Sequence, residues 1–156
     1  MAIVFITGMS ATGKSTVLAE LARRGHRVVD TDDAGWTLDA IDADGQPDRR
    51  WDPGRMAALI GSHTGTGNLF ISGCVSNQGD FYGDFDAVVL LSCPEAVMLQ
   101  RLAGRDTNPF GKSDDDRQRV LDDLAVVEPL LRRRATAEID TRAPVEQVAD
   151  AILRVT

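Results

Sequence analysis

The segment Gly8-Met9-Ser10-Ala11-Thr12-Gly13-Lys14-Ser15 decides the fold of this chain. It is a complete G-x-x-x-x-G-K-[ST] pattern, and it lies between an apolar run over residues 2–7 and an amphipathic run over residues 15–24. A buried strand, this loop and a helix together form a phosphate-binding loop (P-loop), in which backbone N–H groups and the helix N-terminus surround phosphate oxygens. The sequence therefore predicts a nucleoside triphosphate site.

Individual residues of the P-loop have separate predicted roles. Lys14 would contact the β- and γ-phosphates, and the Ser15 hydroxyl would be a ligand of Mg²⁺. The glycines let successive backbone N–H groups turn toward the phosphates. The predicted nucleotide-binding residues of this segment are Gly8, Met9, Ser10, Ala11, Thr12, Gly13, Lys14, Ser15 and Thr16.

The composition limits the possible partners. A chain of 156 residues predicts one domain over residues 1–156, and its formal net charge of −7 argues against binding to duplex nucleic acid. No apolar run reaches about 18 residues, so no membrane helix is expected. Cys74 and Cys93 lack metal or redox spacing, and no secretory leader is evident, which favours a cytoplasmic protein. The sequence leaves monomer and homodimer open.

Apolar strand patterns alternate with helical patterns along the chain. The predicted strands span residues 2–7, 27–31, 69–72, 87–92 and 136–140, and the predicted helices span residues 15–24, 53–63, 94–103, 113–135 and 144–154. Such alternation predicts an α/β fold of three layers, with a five-stranded parallel sheet between helices. Ligands bind beyond the carboxyl ends of parallel strands, so residues that follow each strand are expected to share one rim.

Two carboxylates follow the second predicted strand. Asp30 and Asp32 would lie on the rim beside the P-loop, where a carboxylate can hold Mg²⁺ through water or accept the proton of an attacking hydroxyl. We predict catalytic roles for both, and metal and acceptor contacts for Asp32. The alternative is a solvated acidic turn that caps the next helix.

Two further segments are predicted to move. Arg101 and Arg105 end a helix that leads into a loop rich in Asn, Pro and Gly, which predicts a lid near 104–116 that brings catalytic cations to the transferred phosphoryl group. An exposed arginine pair at a helix end is the alternative. The polar stretch 42–51 predicts a substrate-side flap near 33–66.

The order of P-loop, D-x-D, Arg-bearing lid and a final Asp-Thr-x-x-x-Pro turn resembles the shikimate kinase and nucleoside monophosphate kinase group. The resemblance implies a P-loop NTPase fold with strand order 2-3-1-4-5, ATP and Mg²⁺ as cofactors, and transfer of the γ-phosphoryl group to a small-molecule acceptor. It also implies that Arg101 contacts the nucleotide and that Arg142, Ala143 and Pro144 flank the adenine ring.

The resemblance is weaker on the acceptor side. It places Arg55 on a helix that faces the cleft and Gln78 beside Asn77 in the loop that follows the third strand, and we predict that these three residues contact the acceptor together with Asp32. Shikimate kinases have an arginine where this chain has Val127, so shikimate is expected to be a poor acceptor. Ser72 also occupies the position where several P-loop enzymes have an acidic residue.

Two other functions fit the same residues. A nucleotide or nucleoside kinase would differ only in its acceptor. A slow ATPase that acts as a nucleotide-binding regulator would need the P-loop but no acceptor.

Overall fold

Strands and helices alternate through the chain, as the sequence pattern predicts. The computed structural model describes residues 2–9, 11–63, 67–104 and 114–156. In chain order the elements are β1 (Ile3–Thr7), α1 (Lys14–Arg23), β2 (Arg27–Asp30), β3 (Thr37–Ile41), β4 (Pro47–Trp51), α2 (Pro53–Ser62), β5 (Leu69–Ser72), a 3-10 helix (Gln78–Asp84), β6 (Ala87–Ser92), α3 (Glu95–Ala103), α4 (Asp114–Arg134), β7 (Ala137–Asp140) and α5 (Val145–Arg154). Each strand or helix that the sequence analysis predicted begins and ends within one residue of the observed bounds.

Five of the strands form a parallel sheet in the order β2-β5-β1-β6-β7. Numbered among themselves, these strands have the predicted order 2-3-1-4-5, because β3 and β4 belong to a separate pair. β1 is central, with Ile3 opposite Leu69 on one side and Val4 opposite Ala87 on the other. The order brings the residues that follow β1, β2 and β5 to one edge of the sheet.

Helices cover both faces of the sheet, which confirms the three-layer α/β architecture. Val4 and Ile6 of β1 pack with residues of α1 and α5, whereas Ile3 and Phe5 pack with residues of α2 and with Trp51. A third cluster joins β6 to α3 and α4. Because both faces are covered, the inner strands are apolar at nearly every position.

The stretch 42–51, predicted only as a polar flap, contributes to an antiparallel hairpin of β3 and β4. Its last residue, Trp51, is fully buried, with its ring centroid 5.1 Å from that of Phe5 in an edge-on contact. The hairpin is otherwise largely exposed, so its strands carry no alternation of apolar and polar residues that could reveal them. Among the helices of the described residues, none combines the length and apolar composition needed to cross a bilayer.

Candidate active site

The P-loop follows β1 and is shaped by two glycines with positive φ. Gly8 has φ of +155°, and Gly13, which caps α1, has φ of +93°. A Cβ atom on Gly8 would lie 2.5 Å from the Leu91 carbonyl oxygen and 2.8 Å from Thr12 Oγ1. Real Cβ atoms essentially never approach heavy atoms closer than 3.0 Å, so a side chain at position 8 would displace the loop.

Lys14 is the first residue of α1, and the loop surrounds its ammonium group. Nζ donates to the carbonyl oxygens of Gly8 at 2.7 Å and Met9 at 3.0 Å. The Thr12 hydroxyl donates to the same Met9 oxygen at 2.7 Å, and Ala11 adopts a left-handed conformation with φ of +63°. A positive charge and the N-terminus of a helix thus lie together, an arrangement that favours anions.

Asp30 is the carboxylate closest to the P-loop serine. The Ser15 hydroxyl donates to Asp30 Oδ2 at 2.9 Å, and the backbone N–H of Asp32 donates to Asp30 Oδ1 at 3.0 Å. In the adjacent strand, Ser72 is paired in register with Asp30, and its buried hydroxyl has no hydrogen-bond partner among the described residues. Hydroxyl and carboxylate oxygens are ligands that Mg²⁺ accepts, so this corner suits that ion.

A cavity of about 630 Å³ extends from the P-loop to the loop that follows β7. Arg101 of α3 spans these two loops: its guanidinium donates to the Ala11 carbonyl oxygen at 3.1 Å, to Thr141 Oγ1 at 3.0 Å and to the Thr141 carbonyl oxygen at 2.7 Å. The residues that line this nucleotide cavity are Ala11, Gly13, Lys14, Ser15, Thr16, Val17, Asp32, Arg101, Thr141, Ala143, Val145 and Val148.

A second cavity, of about 720 Å³, lies between β1, the hairpin, the 3-10 helix and α4. Lys14 and Asp32 line both cavities, so the two spaces meet at one cation and one carboxylate. We call the second space the acceptor cavity. Its other lining residues are Gly8, Met9, Asp48, Arg49, Cys74, Val75, Ser76, Gln78, Gly79, Tyr82, Asp123, Val127, Leu130, Leu131 and Arg134.

Three titratable groups of the acceptor cavity have shifted pKa values. Desolvation raises the pKa of the Cys74 thiol, against the attraction of Lys14, and it likewise raises the pKa of the Tyr82 phenol. The Ser76 hydroxyl and then Arg50 lower the pKa of Asp48 through hydrogen bonds. At neutral pH the wall therefore presents a neutral thiol, a neutral phenol and an Asp48 carboxylate that is already paired.

A family model described as an AAA domain matches residues 4–122, which include the P-loop, both rim carboxylates and Arg101. The chain belongs to the AAA domain family. A comparison of the sequence with curated proteins gives no match.

Solved kinase structures share the fold of this AAA domain at low sequence identity. Shikimate kinase from Acinetobacter baumannii in complex with shikimate is 23% identical with a TM-score of 0.66, over 99% of this chain and 92% of that chain. A gluconokinase from Sinorhizobium meliloti 1021 is 16% identical with a TM-score of 0.61, over 99% of this chain and 90% of that chain. A sugar kinase from Janibacter sp. HTCC2649 is 17% identical with a TM-score of 0.56, over 99% and 93%. These likenesses confirm the P-loop fold.

The structure of this AAA domain redistributes several predicted nucleotide-side roles. Asp30, rather than Asp32, contacts Ser15, whereas Asp32 lines the nucleotide cavity, so the predicted pairing of Ser15 with Asp32 at a metal has no direct contact to support it. Arg101 donates hydrogen bonds to the P-loop and to Thr141, so it connects two loops of the core, and we call this connection the clamp. These contacts do not support the prediction that Arg101 belongs to a lid. Ser10 and Arg105, with most of the proposed lid, lie outside the described residues.

Arg142 and Pro144 are the sequence neighbours of Ala143, but neither of them lines the nucleotide cavity. The Arg142 guanidinium donates to both carboxylate oxygens of Asp140, at 3.1 and 3.0 Å, and its side chain is exposed. Pro144 is the residue before α5 and is also exposed. Between them, Ala143 does line the cavity. The predicted adenine contact therefore has support at Ala143 alone.

The predicted acceptor residues other than Asp32 are used differently by the fold. Arg55 lies on the outer side of α2, with its Cζ 5.2 Å from the centroid of Trp36, and it does not line the acceptor cavity. The Asn77 amide accepts from the Trp51 backbone N–H at 2.9 Å and donates to the Trp51 carbonyl at 3.1 Å, so it attaches the hairpin to the rim. Neither position supports an acceptor contact for its side chain.

Gln78 does line the acceptor cavity, but its amide is largely engaged. It accepts from the Val75 backbone N–H at 2.9 Å and donates to Tyr82 Oη at 2.7 Å and to Thr7 Oγ1 at 3.2 Å. These bonds fix the loop after β5 to β1 and to the 3-10 helix. Gln78 thus shapes the cavity wall by holding its neighbours.

The sequence analysis did not assign several charged or titratable residues to the acceptor cavity, and two of them, Tyr82 and Arg134, are in contact with each other. Arg134 is seven residues after Val127, two turns along α4, so both residues lie on the same helix face. That spacing could have placed Arg134 in the cavity once Val127 was assigned there. Tyr82 had no comparable signal, because the 3-10 helix that presents it has no amphipathic pattern to read.

Proposed function

We propose that this AAA domain is an ATP- and Mg²⁺-dependent phosphotransferase that moves the γ-phosphoryl group to a hydroxyl of a small-molecule acceptor. The observation that carries the proposal is that the nucleotide cavity and the acceptor cavity meet at Lys14 and Asp32. A site that only hydrolysed ATP would need no second cavity of about 720 Å³ on the far side of the P-loop.

The P-loop would bind the triphosphate. Its backbone N–H groups and the N-terminus of α1 favour the phosphate oxygens, and Lys14 would exchange the Gly8 and Met9 carbonyl oxygens for the β- and γ-phosphates. Arg101 would keep the P-loop and the Thr141 loop at the separation that the nucleotide requires.

Ser15 and Asp30 would hold the metal. When bound there, Mg²⁺ would supply positive charge that offsets the negative charge developing on the phosphates. Within the described residues no cluster of three or more His, Cys, Asp or Glu side chains could hold an ion without other ligands. We therefore propose that the nucleotide completes the coordination, so that the ion and ATP bind together.

Asp32 would act on the acceptor. Its carboxylate would accept the hydroxyl proton as the acceptor oxygen bonds to the γ-phosphorus and the bond to the ADP oxygen breaks. We propose that Lys14 stabilises the charge on the leaving phosphate, and that the segment near 104–116 with Arg105 closes over the site. In such a reaction most of the rate comes from positioning and electrostatics.

A metabolite-panel phosphorylation assay monitored by ADP release tests this function. The reaction with ATP alone is the control, and it should be slow because the proposed lid completes the site only when a bound acceptor favours its closure. An acceptor that raises ADP release well above this control, with loss of the signal in Lys14→Ala, supports the proposal. Only acceptor-independent hydrolysis, stimulated by a protein partner, would support a regulator instead.

A further inference from the structure

Two guanidinium groups of the acceptor cavity lack an acidic partner. Within the described residues, neither Arg49 nor Arg134 forms an ion pair. Arg49 donates to the Thr37 hydroxyl at 2.9 Å, and Arg134 has only a long contact of 3.5 Å with the Gly79 carbonyl oxygen. Both line the cavity, so both positive charges remain available to a ligand.

Arg132 and Arg50, which lie close in sequence to Arg134 and Arg49, are paired with carboxylates. Arg132, two residues before Arg134 on α4, pairs with Glu128 at 2.8 Å and with Glu138 at 2.6 Å. Arg50, next to Arg49 on β4, pairs with Asp48 at 3.0 Å. Arg133 also forms no ion pair among the described residues, but it does not line the acceptor cavity, whereas Arg49 and Arg134 are both unpaired and line it.

Arg134 is held in place without using up its donors. Its Cζ lies 4.6 Å from the centroid of the Tyr82 ring, a cation–π contact that engages the face of the guanidinium. Tyr82 is itself fixed, because its hydroxyl oxygen accepts from Gln78 and its ring packs against Phe5 and Phe85. A stacked guanidinium still offers N–H donors at its edge, in the fork that matches a carboxylate or a phosphate.

The charges along the α4 wall of the cavity are arranged by sign. Asp123 is eleven residues before Arg134 on the same helix face, a distance of about 16 Å along the axis. Val127 and Leu130 lie between them, so the wall runs from an acid through an apolar stretch to a base. An acceptor with its anionic group at Arg134 is therefore well separated from the Asp123 carboxylate.

We propose that Arg134, assisted by Arg49, binds an anionic group of the acceptor, a carboxylate or a phosphate, and so selects anionic over neutral acceptors. This inference rests on the proposed phosphotransferase function. Arg134 acts as a specificity residue and takes no part in the bond changes.

An NMR titration tests the contact without knowledge of the true acceptor. The protein is first saturated with ADP and Mg²⁺, so that the P-loop is occupied, and acetate or inorganic phosphate is then added while arginine Nε–Hε signals are followed. We expect a saturable shift of the Arg134 signal, assigned from its loss in Arg134→Gln, and an unchanged response in the neighbouring control Arg133→Gln. No shift of the Arg134 signal with either anion would overturn the proposal.

A turnover comparison tests specificity and separates the two anion types. Glucose, gluconate and glucose 6-phosphate share a six-carbon chain but differ in charge. Glucose is neutral, gluconate carries a carboxylate and glucose 6-phosphate carries a phosphate. We expect an anionic member to be the better acceptor, and Arg134→Gln to raise its KM about 10- to 100-fold, as for loss of hydrogen bonds to a charged group, with kcat and the KM for ATP nearly unchanged. Equal use of glucose, or equal effects of Arg133→Gln and Arg134→Gln, would contradict the role of Arg134. If no acceptor gave ADP release that depends on Lys14, the phosphotransferase function would be contradicted. The NMR titration would still report independently whether Arg134 binds an anion.

Discussion

Replacement of Arg101 by methionine should destabilise the domain and weaken ATP binding. Arg101 makes three hydrogen bonds, of 3.1, 3.0 and 2.7 Å, that connect the P-loop at Ala11 to Thr141 after β7. A hydrogen bond from a charged group contributes about 1.5–3 kcal/mol net, and three bonds from one half-buried guanidinium are not additive. We therefore expect a loss of about 3 kcal/mol, which includes the cost of the unpaired carbonyl of the buried Thr141.

This loss should appear in thermal unfolding and in nucleotide kinetics. For a chain of this length about 3 kcal/mol corresponds to a fall in Tm of about 6–12 °C. Because Arg101 lines the nucleotide cavity, the KM for ATP should rise about tenfold, equivalent to about 1.4 kcal/mol of lost binding. Arg101→Lys should retain part of the thermal stability and part of the ATP affinity, because an ammonium group keeps the charge but lacks the planar array of donors.

The control is Arg154→Met, the same change at an exposed position near the end of α5, which should alter stability by less than about 0.5 kcal/mol. A different pattern would contradict the clamp: an Arg101→Met variant with unchanged Tm and unchanged KM for ATP, but with kcat lowered about a hundredfold, would place Arg101 on the transferred phosphoryl group.

Four further outcomes follow from the site and the fold. Lys14→Ala should fold normally but lose several hundredfold or more in turnover, because the cation beside the phosphates is removed; near-normal turnover would exclude the proposed role of the P-loop. Asp32→Asn should lower kcat about 10²- to 10⁴-fold with the KM for ATP within a few fold, whereas a collapse of ATP affinity at normal kcat would make Asp32 a nucleotide residue. Gly8→Ala should cost on the order of 1–3 kcal/mol in denaturant unfolding and abolish nucleotide binding, since its Cβ would collide with the Leu91 carbonyl oxygen; wild-type affinity would show that the loop can shift. Hydrogen bonds from Arg23 and then Arg24 lower the pKa of Glu20 from 4.5 to about 2. The free energy of unfolding of the wild type should therefore fall as the pH drops from about 4.5 to 2, and Glu20→Gln should show a shallower fall. Parallel curves of unfolding free energy against pH would contradict this assignment.

On the acceptor side, two predicted contacts have no support from the structure. Arg55 and Asn77 have suitable chemistry and lie near the rim in sequence, but one stacks on Trp36 and the other binds the Trp51 backbone. Arg134 follows two other arginines in the sequence, and only Arg132 has an acidic residue, Glu128, four positions before it on the helix. The tertiary structure adds a second partner for Arg132, Glu138 of β7, and it places Arg134 against Tyr82 in the wall of the acceptor cavity.

The sequence by itself determined the order of strands and helices, the P-loop and the position of Lys14, because apolar runs, helix periods and glycine positions act within a few residues of the chain. It also restricted the nucleotide side to the ends of known strands, since parallel strands share one carboxyl edge. The tertiary structure decided which carboxylate reaches Ser15, which arginines keep an available charge and where the hairpin closes the acceptor cavity. Those outcomes depend on how separate elements pack against one another: Ser15 of α1 contacts Asp30 at the end of β2, and Trp51 of the hairpin bonds to Asn77, 26 positions later in the chain. Local sequence patterns act within one element and do not encode such contacts.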